Sequence, residues 1–192
     1  MTLIGLYSHA PGSGKTTVAK MIGLLSPCAC RWLSFAKPLK EIVAGVLTDL
    51  GYDGWEWVLN RKDTKLPGLG LTPRQMLQTL GTEWGRNCVH PNLWVKIAQN
   101  STDMSFTDDL MVIFDDMRFP NEAEMIRGCG GELWLVERPD VVCDGEHGSE
   151  GALRDIVPDR IVLNDGDRDQ LQQTVANLIK ELNTKEENNN GI

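Results

Sequence analysis

At 192 residues the chain has the length of one compact domain with room for a small insertion. Hydrophobic residues make up 41% and charged residues 24%, a globular balance that excludes a fibre or a disordered chain. The formal net charge of -8 argues against a broad nucleic-acid or membrane-binding surface, because both need clustered positive charge, so an anionic ligand must meet a local basic pocket.

Residues 2–8 form an almost continuous apolar run, as expected of a strand covered on both faces. It leads into Pro11-Gly12-Ser13-Gly14-Lys15-Thr16-Thr17 and then into helical spacing, with Val18, Met21, Ile22 and Leu25 on one face. Strand, glycine-rich turn, Lys-Thr pair and helix are the layout of a phosphate-binding P-loop. Glycines let successive backbone N–H groups turn toward one anion, and the positive helix end favours the same charge. Gly12, Ser13, Gly14, Lys15, Thr16 and Thr17 are therefore the expected ATP-phosphate contacts, with the Thr16 hydroxyl holding Mg2+. The full pattern G-x-x-x-x-G-K-[ST] has glycine where His9 stands, so a modified loop is expected.

Ser26-Pro27 ends the first helix, residues 31–36 read as a second strand, and Lys37-Pro38 opens a helix through about Leu50. From Gly51 to Gly70 the pattern breaks into an insertion or surface loop with one short helix and the basic residues Arg61, Lys62 and Lys65. Thr72 caps a helix with Pro73 at its first position, followed by Thr82-Glu83-Trp84-Gly85-Arg86 as a glycine-bounded turn and a short helix over residues 91–99. Residues 110–114 are the clearest strand and end in Asp115-Asp116. A helix over 121–127, strands over 132–136 and 160–163, and a helix from Asp167 to Leu182 complete the pattern, with residues 138–158 loop-like and 184–192 a disordered tail. Alternating strands and helices predict an α/β fold whose five strands form a parallel sheet with helices on both faces, and ligands gather at the carboxyl ends of such strands.

Asp115 and Asp116 end an apolar strand, where a nucleotide site needs a carboxylate to organise magnesium. Side chains alternate along a strand, so at most one of them faces the metal. Arg74, Arg86, Arg118 and Arg138 stand at helix starts, strand ends or loops, and arginine's planar fork suits transfer between two anionic groups. Among Phe35, Trp55, Trp57, Trp84, Trp94 and Phe119, Trp84 is the strongest candidate to stack on a base. His9, His90 and His147 are scattered, and neither a G-x-S-x-G elbow nor an H-E-x-x-H helix occurs. A nucleoside monophosphate as acceptor needs no base, since its second phosphate pKa is about 6. Five cysteines without a C-x-x-C pair predict reduced thiols rather than zinc or disulfides. No leader pattern opens the chain and no apolar run approaches membrane-spanning length, so a soluble, cytoplasmic protein is expected.

Three stretches, Ser34 to Lys40, Thr72 to Arg86 and Asp116 to Ala123, resemble the bacteriophage deoxynucleoside monophosphate kinases. The likeness continues through Gly130-Gly131, residues 136–139, His147 to Glu150 and Asn164-Asp165-Gly166. It implies a P-loop kinase core of the three-layer sandwich type (about 1–50 and 108–183), a helical substrate-binding insertion (about 51–107) and a lid (about 138–158), all one domain over 1–183. It further implies transfer of the γ-phosphoryl of ATP, with Mg2+, to a deoxynucleoside monophosphate. On that resemblance Phe35, Lys37, Arg74, Gln78, Glu83, Trp84 and Arg86 look like the acceptor site. Lys15, Asp116, Arg118 and Arg138 look catalytic, and Thr16, Asp115 and Asp116 look like metal residues. The resembled family often has Lys-Asp where this chain has Lys15-Thr16, and threonine there is compatible with metal binding. The expected partners are small-molecule nucleotides, with neither a nucleic-acid polymer nor a membrane, and the chain could pair with a second copy. The competing readings are a P-loop kinase with a hydroxyl acceptor, such as a nucleoside or dephospho-coenzyme A, and a nucleotide-binding regulatory protein without transfer activity.

Overall fold

A computed structural model describes residues 2–103, 110–141 and 153–190, with the side chains described up to 184. Most of the expected lid, including His147 to Glu150, lies outside the described residues. The chain divides into two compact units, one formed by Met1–Ser34 with Ser101–Ile192 and the other by Phe35–Asn100.

The first unit is built on five parallel strands, β1 (Thr2–Tyr7), β2 (Ala29–Leu33), β3 (Leu110–Phe114), β4 (Glu132–Glu137) and β5 (Arg160–Leu163), in the order β2-β3-β1-β4-β5. The central strand β1 pairs with β3 through Thr2–Met111 to Gly5–Phe114 and with β4 through Ile4–Glu132 to Tyr7–Leu135. Its residues from Leu3 to Tyr7 are all buried, which is why the run reads as continuously apolar. Ile4 and Leu6 join α1 (Lys15–Leu25) and α7 (Arg168–Asn190) in one core through Val18, Met21, Ile22, Leu171, Val175 and Ile179. Gly5 points the other way and lies beneath Ile126 of α6 (Pro120–Gly128). Helices thus cover both faces, and the unit has three layers. Among the described residues, no helix is long and apolar enough to cross a membrane.

At the edge of the sheet, the Arg160 side chain is 5% exposed and is neutralised by Glu132 at 2.6 Å and Glu181 at 2.8 Å, with its guanidinium over Trp134. The pairing offsets the desolvation of a buried cation and ties α7 to β4 and β5. The α7 backbone stays helical to Asn190, past the end at Leu182 and into the tail expected from the composition.

The second unit is helical: α2 (Lys37–Asp49), α3 (Gly54–Asn60), α4 (Pro73–Gln78), a π-helix (Thr79–Val89) and most of α5 (Leu93–Asp103). Val43, Ala44 and Leu47 of α2 pack with Trp57, Val58 and Leu66, and Met76, Leu77 and Leu80 close the cluster. That packing puts α2 in this unit, whereas the resemblance implies a core that runs to about residue 50. Where the sequence predicts a glycine-bounded turn around Trp84, the backbone instead winds as the π-helix, with the His90 N–H reaching the Gly85 carbonyl at 3.0 Å.

Candidate active site

The loop after β1 is shaped by two glycines and by hydroxyls that bond its own backbone. Gly12 and Gly14 sit at φ 77° and 98°, in the left-handed region that side chains other than glycine enter at a cost. No non-glycine among the described residues has a positive φ, so His9 needs no left-handed backbone where the P-loop pattern has glycine. Its ring packs edge-on against Tyr7, with centroids 5.8 Å apart. The buried Ser8 and Ser13 hydroxyls both donate to the Ala10 carbonyl, at 2.9 and 2.7 Å, and draw the loop into a closed curve. Gly14 caps α1, whose first intrahelical bond runs from the Val18 N–H to the Gly14 carbonyl at 2.9 Å. The first N–H groups of a helix lack intrahelical acceptors, and here they follow directly on the loop.

Lys15 lies back across this curve and donates to the Ser8 hydroxyl. A phosphate oxygen offers an ammonium a charge-assisted hydrogen bond. The Thr16 hydroxyl donates to Asp115 Oδ2 at 3.1 Å, and the Ser34 hydroxyl donates to Asp116 Oδ2 at 2.5 Å. The adjacent aspartates therefore go to different partners, as alternation at a strand end requires. Thr16 with Asp115 supplies hard oxygen ligands of the kind magnesium prefers. Among the described residues there is no cluster of three or more His, Cys, Asp or Glu that could hold a metal ion.

After Asp116 the chain turns into α6. The Glu122 side chain, 2% exposed, accepts from the backbone N–H groups of Arg118 at 2.7 Å and Phe119 at 3.1 Å. This holds the turn and leaves the Arg118 side chain exposed beside the strand ends. Arg138 follows β4 and is also exposed.

In the second unit, Arg86 Nη1 and Trp94 Nε1 both donate to the Gly81 carbonyl, at 3.1 and 2.8 Å. The Trp94 indole lies on Gly85, where an added Cβ would come within 2.5 Å of the ring. Gly81, Gly85, Arg86 and Trp94 thus form one interlocked group. Arg74, by contrast, grips Asp63 through Nε and Nη2, and its own N–H bonds the Lys62 carbonyl at 2.9 Å. That pair lowers the Asp63 carboxyl pKa and raises the Arg74 pKa.

Residues 70–175 match the deoxynucleotide monophosphate kinase family. A provisionally assigned deoxynucleotide monophosphate kinase of Acanthamoeba polyphaga mimivirus is 35% identical over 174 residues, covering 85% of this chain and 88% of that protein. The chain belongs to the deoxynucleotide monophosphate kinase family. The deoxynucleoside-5'-monophosphate kinase of Escherichia phage T5 is 30% identical over 181 residues, covering 65% of this chain and 71% of that protein. Solved structures share the fold: dephospho-CoA kinase from Campylobacter jejuni has a TM-score of 0.52 at 14% identity, covering 94% of this chain and 96% of its own. The Thermus thermophilus protein TT1252 reaches 0.50 at 16% identity, covering 94% and 97%. Both likenesses accord with the three-layer α/β fold expected from the sequence.

For this family member the structure groups Lys15, Thr16 and Asp115 around the glycine loop, with Asp116 on Ser34. Arg86 belongs to the Gly81 group, Gln78 and Glu83 are exposed, and Trp84 is 48% exposed with its ring 6.3 Å from that of Trp94. Phe35 is buried and 3% exposed, while Lys37 is exposed and 3.8 Å from Glu41. Thr17 is exposed on the first turn of α1. Residue type alone does not single out Ser8, Ser34, Asp63 or Glu122, since single serines and carboxylates carry no pattern. Trp94 stands out in the sequence by its size, but its link to Gly81 is a tertiary contact.

Proposed function

We propose that this protein transfers the γ-phosphoryl of ATP, with Mg2+, to the 5'-phosphate of a deoxynucleoside monophosphate, giving the diphosphate and ADP. The observation that carries the reading is the placement of Lys15, Thr16 and Asp115 around a loop held by left-handed Gly12 and Gly14. In the transfer an acceptor phosphate oxygen forms a bond to the γ-phosphorus as the bond to the β,γ-bridging oxygen breaks. Lys15 and the loop N–H groups hold the donor phosphates, and Thr16 with Asp115 would hold the metal. Magnesium, when bound, neutralises charge on the phosphate oxygens. Arg86 and Arg74 hold the acceptor, while Arg118 and Arg138 offset the repulsion between two anions. The acceptor oxygen is largely ionised at neutral pH, so no side chain need remove a proton. Asp116, engaged by Ser34, then acts as a structural carboxylate beside the metal rather than as a base. Such an enzyme works on free nucleotides in the cytoplasm of the cell that contains it.

Coupled ADP release with each deoxynucleoside monophosphate tests the reading, and turnover is expected with at least one. Folded protein that turns over none of them would sink it. Turnover with a nucleoside or dephospho-coenzyme A alone would move the acceptor to a hydroxyl. Lys15→Ala should abolish transfer, and Arg86→Ala should raise KM for the monophosphate far more than KM for ATP.

A further inference from the structure

We propose that Asn164 is the positioning residue of the phosphate loop: its side-chain amide holds the Ser13–Gly14 peptide in the orientation that presents the Gly14 N–H to the donor phosphates. The inference rests on the ATP-dependent reading above and extends it to a residue outside the loop. Asn164 Nδ2 donates to the Ser13 carbonyl at 2.9 Å. The Ser13 C=O and the Gly14 N–H belong to one planar trans peptide and point in opposite directions. Fixing the carbonyl toward Asn164 therefore aims the N–H away from it.

A latch is needed because this peptide is easy to turn over. Gly14 sits at φ 98°, and glycine populates either sign of φ with little preference. Ser13 spends its own hydroxyl on the Ala10 carbonyl, which holds the side chain but not the Ser13–Gly14 peptide. Asn164 is itself well anchored, since its backbone N–H donates to the Glu137 carbonyl at 2.7 Å, at the end of β4 and next to Arg138. The contact is also close: a Cβ on Gly14 would lie 2.7 Å from Asn164 Nδ2, and among the described residues beyond its chain neighbours Asn164 is the one such a Cβ would meet within 4 Å. The loop and the segment between β5 and α7 are thus fitted to one another at this point.

The test is ATP binding measured by titration calorimetry without acceptor, alongside steady-state KM values, for wild type, Asn164→Ala and Asn164→Asp. Loss of one hydrogen bond of this kind corresponds to about a tenfold weakening. Asn164→Ala should bind ATP about tenfold more weakly while KM for the monophosphate stays within about twofold. Asn164→Asp keeps the size but sets a carboxylate against the Ser13 carbonyl and the phosphates, so it should bind at least as poorly, and it decides the matter if the alanine variant does not fold. In amide spectra the Gly14 N–H should shift strongly when ATP binds wild type and weakly in the variants. Wild-type affinity in the variants, or equal losses for donor and acceptor, would overturn the role of Asn164 alone. Absence of ATP binding by folded wild type would overturn both this role and the reading on which it rests.

Discussion

Single side chains shape the candidate donor site, and several of them act through partners that are distant in sequence. Asp115 and Asp116 are chemically identical neighbours, yet one accepts from Thr16 of α1 and the other from Ser34 beyond β2. Only the pairing of β2 with β3 brings Ser34 to this point. Tyr7, at the end of β1, donates its hydroxyl to the Ile156 carbonyl at 3.0 Å, and burial pushes its phenol up to about 12. The folded pKa lies above the ordinary value of about 10, so the associated stability is complete below pH 10 and is lost as pH rises toward 12. Of the two tyrosines, one should therefore ionise near pH 12 in a phenolate absorbance titration. Tyr7→Phe should remove that step and flatten the alkaline loss of stability between those values. An unchanged titration in the variant would mean that Tyr7 is not the high-pKa group.

At the level of elements, the stretch from Thr72 to Val89 shows where local pattern succeeds and where it stops. The start of α4 follows from local chemistry: the Thr72 hydroxyl accepts from the Gln75 N–H at 3.2 Å, the Gln75 side chain accepts from the Thr72 N–H at 2.9 Å, and Pro73 is buried at the first position. Thr72→Ala should cost about 1 kcal/mol, read as a lower denaturation midpoint with unchanged slope. The π-helix that follows is rare and carries no sequence signature of its own. Glycines at 81 and 85 suggest a turn, but Gly85 serves close packing against the Trp94 ring and the Gly81 carbonyl accepts from the Trp94 indole. Gly85→Ala would drive a methyl into the indole and should destabilise by about 1–3 kcal/mol, with Arg86 displaced and KM for the monophosphate raised. A variant as stable as wild type in thermal unfolding would show that the indole can move aside. β2 differs similarly, ending at Leu33 rather than near Ala36, because Ser34 turns to Asp116 and Phe35 enters the second unit.

Over the whole molecule, the candidate donor residues lie in the sheet-based unit and the candidate acceptor residues from Phe35 to Arg86 lie in the helical one. Ligands that bind only the folded chain stabilise it by about 2.7 kcal/mol at a hundredfold excess over Kd, or roughly 5–10 °C in a chain of this size. ATP and a deoxynucleoside monophosphate should therefore each raise Tm in the wild type, and ATP should lose most of its effect in Lys15→Ala. Equal shifts by ATP in both proteins would separate Lys15 from donor binding. The five strands (though not the bounds of β2), the glycine loop, the cap at Thr72 and the family are legible in the sequence, because each is written in neighbouring residues through side-chain period, turn chemistry or a contiguous motif. Tertiary structure alone decided that Asp115 goes to Thr16 and Asp116 to Ser34, that α2 joins the helical unit, that residues 79–89 wind as a π-helix, and that Asn164 reaches the loop. These depend on contacts between residues far apart in the chain, which no local periodicity encodes.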